Sequence, residues 1–185
     1  MVRGDRLLRL ALVGLTLSVA TPRPAAAESA AALSRDGVAA LNKLYAAQPS
    51  AKMLSEKAKA ILVFPRIVKA GFMFGGQLGE GALRKGGKTV GYYNSVAASY
   101  GLQAGIQTFG YALFFMNDAA LKQLDDTRGF EIGVGPSIVV VDAGVAKSMT
   151  TNTLTSDVYA FIFSQKGLMA GIGLQGSKIT RINKD

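Results

Sequence analysis

Acid–base chemistry near neutral pH falls to the carboxylates of this chain, because its 185 residues include no cysteine and no histidine. Thiol nucleophiles, imidazole bases, Ser-His-Asp triads and ordinary zinc sites are therefore excluded together. Glu80, Glu131 and Asp142 fall in strand-like segments, and Asp125-Asp126 in a loop. Two-carboxylate catalysis would need one pair held at a defined separation. Nothing in their spacing selects a pair, and ion pairing with nearby lysines is the expected fate. Residues 171–176, GIGLQG, match G-x-G-x-x-G. A dinucleotide site needs those glycines to open a helix, whereas the SKITRI that follows reads as a strand. No cofactor, no metal and no enzymatic activity are expected.

The cations are more informative. Arg66 and Lys69 follow Pro65, which disfavours helix at Phe64, and are expected at a junction between helix and sheet. Lys52, Lys57 and Lys59 lie largely off the apolar stripe of a short helix. They form either a solvated face or a basic surface for an anionic membrane. Lys166, Lys178 and Arg181 add charge near the C-terminal strands. Lys178 and Arg181 have opposite strand parity, so the spacing does not place all these cations in one patch.

Positioning falls to a glycine-rich strand in ILVFPRIVKAGFMFGGQLGEGA, residues 61–82. Gly71, Gly75, Gly79 and Gly81 share one parity, while Phe72, Phe74 and Leu78 take the other face. A face of bare backbone admits another backbone, an aromatic ring or a ligand chain at close range. The phenylalanines read first as core residues.

Around that strand, an alanine-rich helix is expected over 29–46, weakened by Gly37 and ended by Gln48-Pro49. A second helix is expected over 51–60, capped by Ser50. Strands are expected near 68–84, 88–94, 100–116, 130–135, 137–145, 157–164, 168–175 and 177–183. Hairpin turns fall at Gly86-Gly87 and Lys166-Gly167, and Asn117 caps a short helix through Leu124. The fold class is α+β, with N-terminal helices packed on a glycine-rich, mainly antiparallel sheet curled into a barrel or sandwich.

Residues 1–27 have the layout of a secretory signal peptide: a basic start, an apolar run over 10–20 and Ala25-Ala26-Ala27. The expected mature chain starts near Glu28 in an exported compartment, most simply a bacterial periplasm. It divides into a helical segment over 28–49 and a domain over 50–185. The chain carries a formal +9, of which residues 1–27 contribute four arginines less one aspartate, leaving +6. That balance favours anionic partners, and export makes nucleic acid the weaker one.

Residues about 56–183 resemble the SYLF domain, a lipid-binding family, and the bacterial members most closely. The matching segments are AKAILVFPRIVKAGFMFGGQLGEGAL (58–83), GKTVGYYNSVAASYGLQAGIQT (87–108), LFFMNDAAL (113–121) and FSQKGLMAGIGLQGSKITRI (163–182). The resemblance implies a non-enzymatic lipid-binding module. Eukaryotic relatives are associated with phosphoinositide membranes and some with actin, an implausible partner for an exported protein. By region, the resemblance implies lipid contact over residues 51–69, through Lys52, Lys57, Lys59, Arg66 and Lys69. Lys69 and Gly71 sit in its sharpest motif, Lys69-Ala-Gly-Phe72. Phosphatidylglycerol, cardiolipin or acidic outer-membrane lipid would take the place of phosphoinositides. A small structural outer-membrane barrel and a periplasmic protein-interaction module are the alternatives.

Overall fold

The computed structural model describes residues 28–125, 129–142, 145–146, 154–167, 174 and 176–184. Within these, the side chains of residues 72, 73 and 99–104 lie outside the description. Residues 1–27, most of 168–175, Asp126 and Gly171 and Gly173 of the glycine motif lie outside it altogether.

Helix α1 (Ala30–Ala47) opens on Ser29, whose hydroxyl accepts the Ala32 N–H at 3.2 Å. Leu33, Gly37, Leu41 and Leu44 recur at helical spacing and are buried. Gly37 does more than weaken the helix: a Cβ there would lie 3.1 Å from Val63 Cγ1, so its absence lets α1 settle on the sheet. Helix α2 (Pro49–Ser55) starts with Pro49 in its first turn, where a missing N–H costs nothing. Ser50 is therefore inside the helix rather than its cap, and the helix stops at Ser55 instead of running to 60. The Lys59 N–H then bonds the Phe115 carbonyl at 2.8 Å and leads the chain into the sheet.

Two long strands dominate, β1 (Ala60–Lys85) and β2 (Lys88–Phe115), joined by Gly86 and Gly87 at φ 55° and 78°. Both φ values are positive, as a two-residue hairpin turn of the right twist requires. The strands expected at 88–94 and 100–116 are thus one. β1 begins eight residues earlier than expected because Pro65 does not end it. A register shift between Phe64 and Ile67 accommodates the proline as a bulge. Arg66 and Lys69 consequently lie within β1, and not at a helix-to-sheet junction.

The hairpin folds over on itself. A Cβ on Gly71 would fall 2.4 Å from Gly75 Cα, one on Gly79 2.5 Å from the Arg66 carbonyl, and one on Gly81 2.6 Å from the Phe64 ring. The bare face expected from glycine parity is where the first arm of β1 crosses the second. A further register shift between Gly71 and Met73 marks the bend.

The remaining elements are α3 (Asp118–Leu124), β3 (Phe130–Glu131), β4 (Ile138–Val140), β5 (Val158–Gly167) and β6 (Lys178–Ile182). Asn117 caps α3 as expected, accepting the Ala120 N–H at 2.8 Å. The sheet runs β3-β6-β2-β5-β4, with β1 also on β2. Only the β4–β5 pairing is parallel among the described strands. The whole is an α+β fold with a curled half-barrel. Its inner face holds one apolar cluster, including Phe64, Phe109, Tyr111, Phe115 and Ile179. A second cluster lies on the outer face beneath α1 and α2, around Leu44, Leu54, Phe114 and Phe161.

Candidate functional site

Because α1 and α2 cover only the part of the outer face near the strand ends, the part near the bend is bare. Phe74, Leu78, Val96 and Ile106 project there, with 71%, 64%, 50% and 68% of their surface exposed. Leu78 pairs with Val96 on one arm and Ile106 with Ala70 on the other, with Phe74 between the arms near the bend, and Leu78 and Val96 share a cleft with Val68 of the first arm. Phe74 is thus on the surface and not in the core that its strand position suggested. Phe72 belongs to β1 by its backbone, and its side chain lies outside the description.

Cations flank this surface. Lys178 of β6 is the register partner of Val96, so one row reads Lys178, Val96, Leu78 across three strands. On the other arm Lys166 of β5 partners Thr108, which partners Val68, one row behind Ile106. Both lysines are exposed. Exposed Arg66 lines a cleft of about 620 Å³ along with Val68, Leu78 and Val96, so its guanidinium borders the same surface. Glu80 lines that cleft as well, its charge met by Lys184 Nζ at 2.8 Å.

The other basic candidates are elsewhere. Lys69 is only 7% exposed, on the inner face opposite Gln107. It joins an internal polar layer in which Gln77 donates to the Ser177 hydroxyl and Tyr111 to Ser95, both at 2.8 Å. Burial raises the Tyr111 phenol above its ordinary value, against the Ser95 hydrogen bond, and keeps it a neutral donor. Gly71 lies at the bend, packed against the Gly75 backbone. Arg181 is engaged: its guanidinium meets Asp125 at 3.0 Å and lies 5.9 Å from the Tyr93 ring centre. Lys52, Lys57 and Lys59 are exposed at the far end of the hairpin from the bend. The ten sequence candidates therefore do not form one patch; Arg66, Lys166 and Lys178 surround the bare face, and three lysines gather at the opposite end.

Of the carboxylates, expected to pair with nearby lysines, Glu80 alone shows a lysine ion pair among the described contacts. Glu80 and Asp125 are ion-paired, Glu131 faces Lys178 in register, and Asp142 receives the Val145 N–H at 2.8 Å. Asp126 lies outside the described residues. Among the described residues no three metal-ligating side chains cluster. Sequence reasoning missed Val96 and Ile106. Their signal was available in the parity of β2, where both fall opposite Tyr93, Ser95, Phe109 and Tyr111 on the strand's other face.

N-terminal helices laid on a curled, mostly antiparallel sheet define the class of this protein. Residues 96–185 match the family model Ysc84, described as "Las17-binding protein actin regulator". This is the SYLF family that the sequence resembles, and the match runs from Val96 to the last residue, just under half of the chain. No curated protein matches the chain.

Proposed function

We propose that this is a non-enzymatic lipid-binding protein that docks on anionic phospholipid surfaces through the bent end of its hairpin. The observation that carries the reading is the bare outer face, where exposed Phe74, Leu78, Val96 and Ile106 are flanked by Lys166, Lys178 and Arg66. Contiguous exposed apolar surface with a polar rim suits contact with another phase or partner. The flanking cations would meet phosphates as the apolar side chains enter the headgroup layer. Each cation near an anionic surface contributes about 1 kcal/mol, and each fully inserted apolar side chain about 1.5–3 kcal/mol. The cationic share weakens with salt, because exposed charges are screened beyond ~8 Å at physiological ionic strength. The apolar share does not.

A small outer-membrane barrel fits less well. Such a barrel needs a lipid-facing apolar band all round, whereas much of the outer face here is packed under α1 and α2. We further infer export, with residues 1–27 as the removed signal, so that the actin and Las17 of the family description would not be met. Detection of the exported protein with Met1 intact would oppose the signal assignment.

Flotation of the protein with neutral, phosphatidylglycerol, cardiolipin and phosphoinositide vesicles tests the lipid reading. Binding confined to anionic vesicles is expected, reduced but not abolished by high salt. Replacement of Arg66, Lys166 and Lys178 by glutamine should weaken it about a hundredfold. Equal flotation with neutral vesicles, or none with any, would count against it.

A further inference from the structure

A cleft of about 450 Å³ opens between α1, the end of α2 and the β1–β2 turn. Both termini of β1 are here, at Ala60 and Lys85, and each arm runs about eleven residues to the bend. At ~3.3 Å per residue the cleft is roughly 20 Å from the nearest residues of the bare face and on the order of 30 Å from the bend. Its polar lining comes from segments far apart in sequence: Asn42 and Tyr45 of α1, Ser55 at the end of α2, Glu56 and Lys59 after it, and Arg84 of β1.

Arg84 is half-buried and held in place, with Nη1 donating to Thr89 Oγ1 at 3.3 Å and Nη2 to the Gly87 carbonyl. These bonds use two of five guanidinium N–H groups and leave a fixed donor edge. Tyr45 lies within reach of the same charge. Burial raises its phenol above the ordinary value, while the Ser55 hydrogen bond and Arg84 pull it down. It remains a neutral donor at physiological pH. Gly86 and Gly87 form the rim, and a Cβ at either would meet no atom within 4 Å, so the mouth is open. Leu41 and Ile61 complete the wall. Two cations face one carboxylate, Glu56, and exposed Lys57, Lys85 and Lys88 add positive field outside.

We propose that this cleft is a second anion site, which takes a phosphate ester between Lys59 and Arg84, beside the Tyr45 phenol; the Ser55 hydroxyl is spent on the Lys52 carbonyl at 2.6 Å. A preorganised guanidinium beside an ammonium matches the charge and the oxygens of a phosphate. The site shares no residue with the bare face, so it goes beyond the lipid-docking reading and does not depend on it. A bilayer engaged at the bend cannot reach this cleft on the same molecule. Its ligand is either a soluble phosphoester or the headgroup of a second membrane.

Amide chemical shifts of the protein titrated with inorganic phosphate and with glycerol 1-phosphate test the site. Saturable shifts confined to residues around Ser55, Lys59 and Gly86-Gly87 are expected with one or both. Arg84→Gln and Lys59→Gln should each weaken binding about tenfold. Glu56→Gln should tighten it by removing a like charge from the lining, a change that a merely structural role would not produce. Arg66→Gln, at the other surface, should leave it unchanged. The sources separate in a turbidity assay: clustering of phosphatidylglycerol vesicles, lost in Arg84→Gln, marks a headgroup, and no clustering beside intact glycerol-phosphate binding marks a soluble ester. Small shifts spread over all lysines, or titrations unaltered by Arg84→Gln, Lys59→Gln and Glu56→Gln, would overturn the proposal. Vesicle binding without phosphate shifts at the cleft would overturn it too and leave the docking face standing.

Discussion

Gly81 shows how much a single hydrogen in place of a side chain can decide. Its missing Cβ is the space occupied by the Phe64 ring at 2.6 Å and the Val63 carbonyl at 2.7 Å. Gly81→Ala should destabilise the fold by about 1–3 kcal/mol through overpacking, read as a lower urea midpoint. Gly86→Ala removes only backbone freedom at positive φ and should cost about 1 kcal/mol. At the start of β5, Asp157 accepts the Ser137 N–H at 3.0 Å and the Asn117 amide at 2.7 Å, which hold its carboxyl below the ordinary value. A depressed folded-state value means that its stabilising effect is present above the unfolded value near 3.8 and is lost as pH falls through the folded one. Asp157→Asn should therefore lower the melting temperature at pH 7, with the difference from wild type vanishing in acid. At this scale the glycine parity was readable from sequence, because strand alternation is a local rule. The partner of the bare face was not, since Phe64 and Gly81 meet only through a bend that no local pattern specifies.

Elements divide the outer face into a covered and a bare part. Leu44 and Leu54 are fully buried beneath the helices. Leu54→Ala should cost about 2–4 kcal/mol and raise hydrogen exchange in α2 before the sheet loosens. Leu78→Ser exposes nothing new, so its stability should stay within about 0.5 kcal/mol of wild type while vesicle affinity drops tenfold or more. Flotation beside a denaturation curve separates the two effects. Helix α1, the Gly86-Gly87 turn and the α3 cap could be read in advance, because periodicity and capping are contained within each segment. The continuity of β1 and β2 could not. Pro65 and the glycines at 71–75 look like strand ends until long-range pairing absorbs them as a bulge and a bend. Phe74 was read as core for the same reason: alternation tells which residues share a face, and only the placement of α1 and α2 decides which face is covered.

On the whole-molecule scale, positive charge collects in two regions roughly 20–25 Å apart along the strands. Lys59 and Arg84 line the cleft, with exposed lysines before and after them in sequence, and Arg66, Lys166 and Lys178 lie on the arms toward the bend. The sequence shows a surplus of lysine and arginine but not this division, which arises when a single hairpin folds in half. Salt should therefore affect the two sites independently: vesicle binding keeps an apolar remainder, while phosphate binding at the cleft falls steeply. Insertion of the bend is the claim on which the lipid reading turns, and the chain offers a clean reporter because it contains no tryptophan. Phe74→Trp introduces a single indole at a site that is 71% exposed. On addition of phosphatidylglycerol vesicles its emission should shift to the blue and be quenched by bromines on the acyl chains. Vesicle binding with the emission unshifted and unquenched would contradict insertion at the bend.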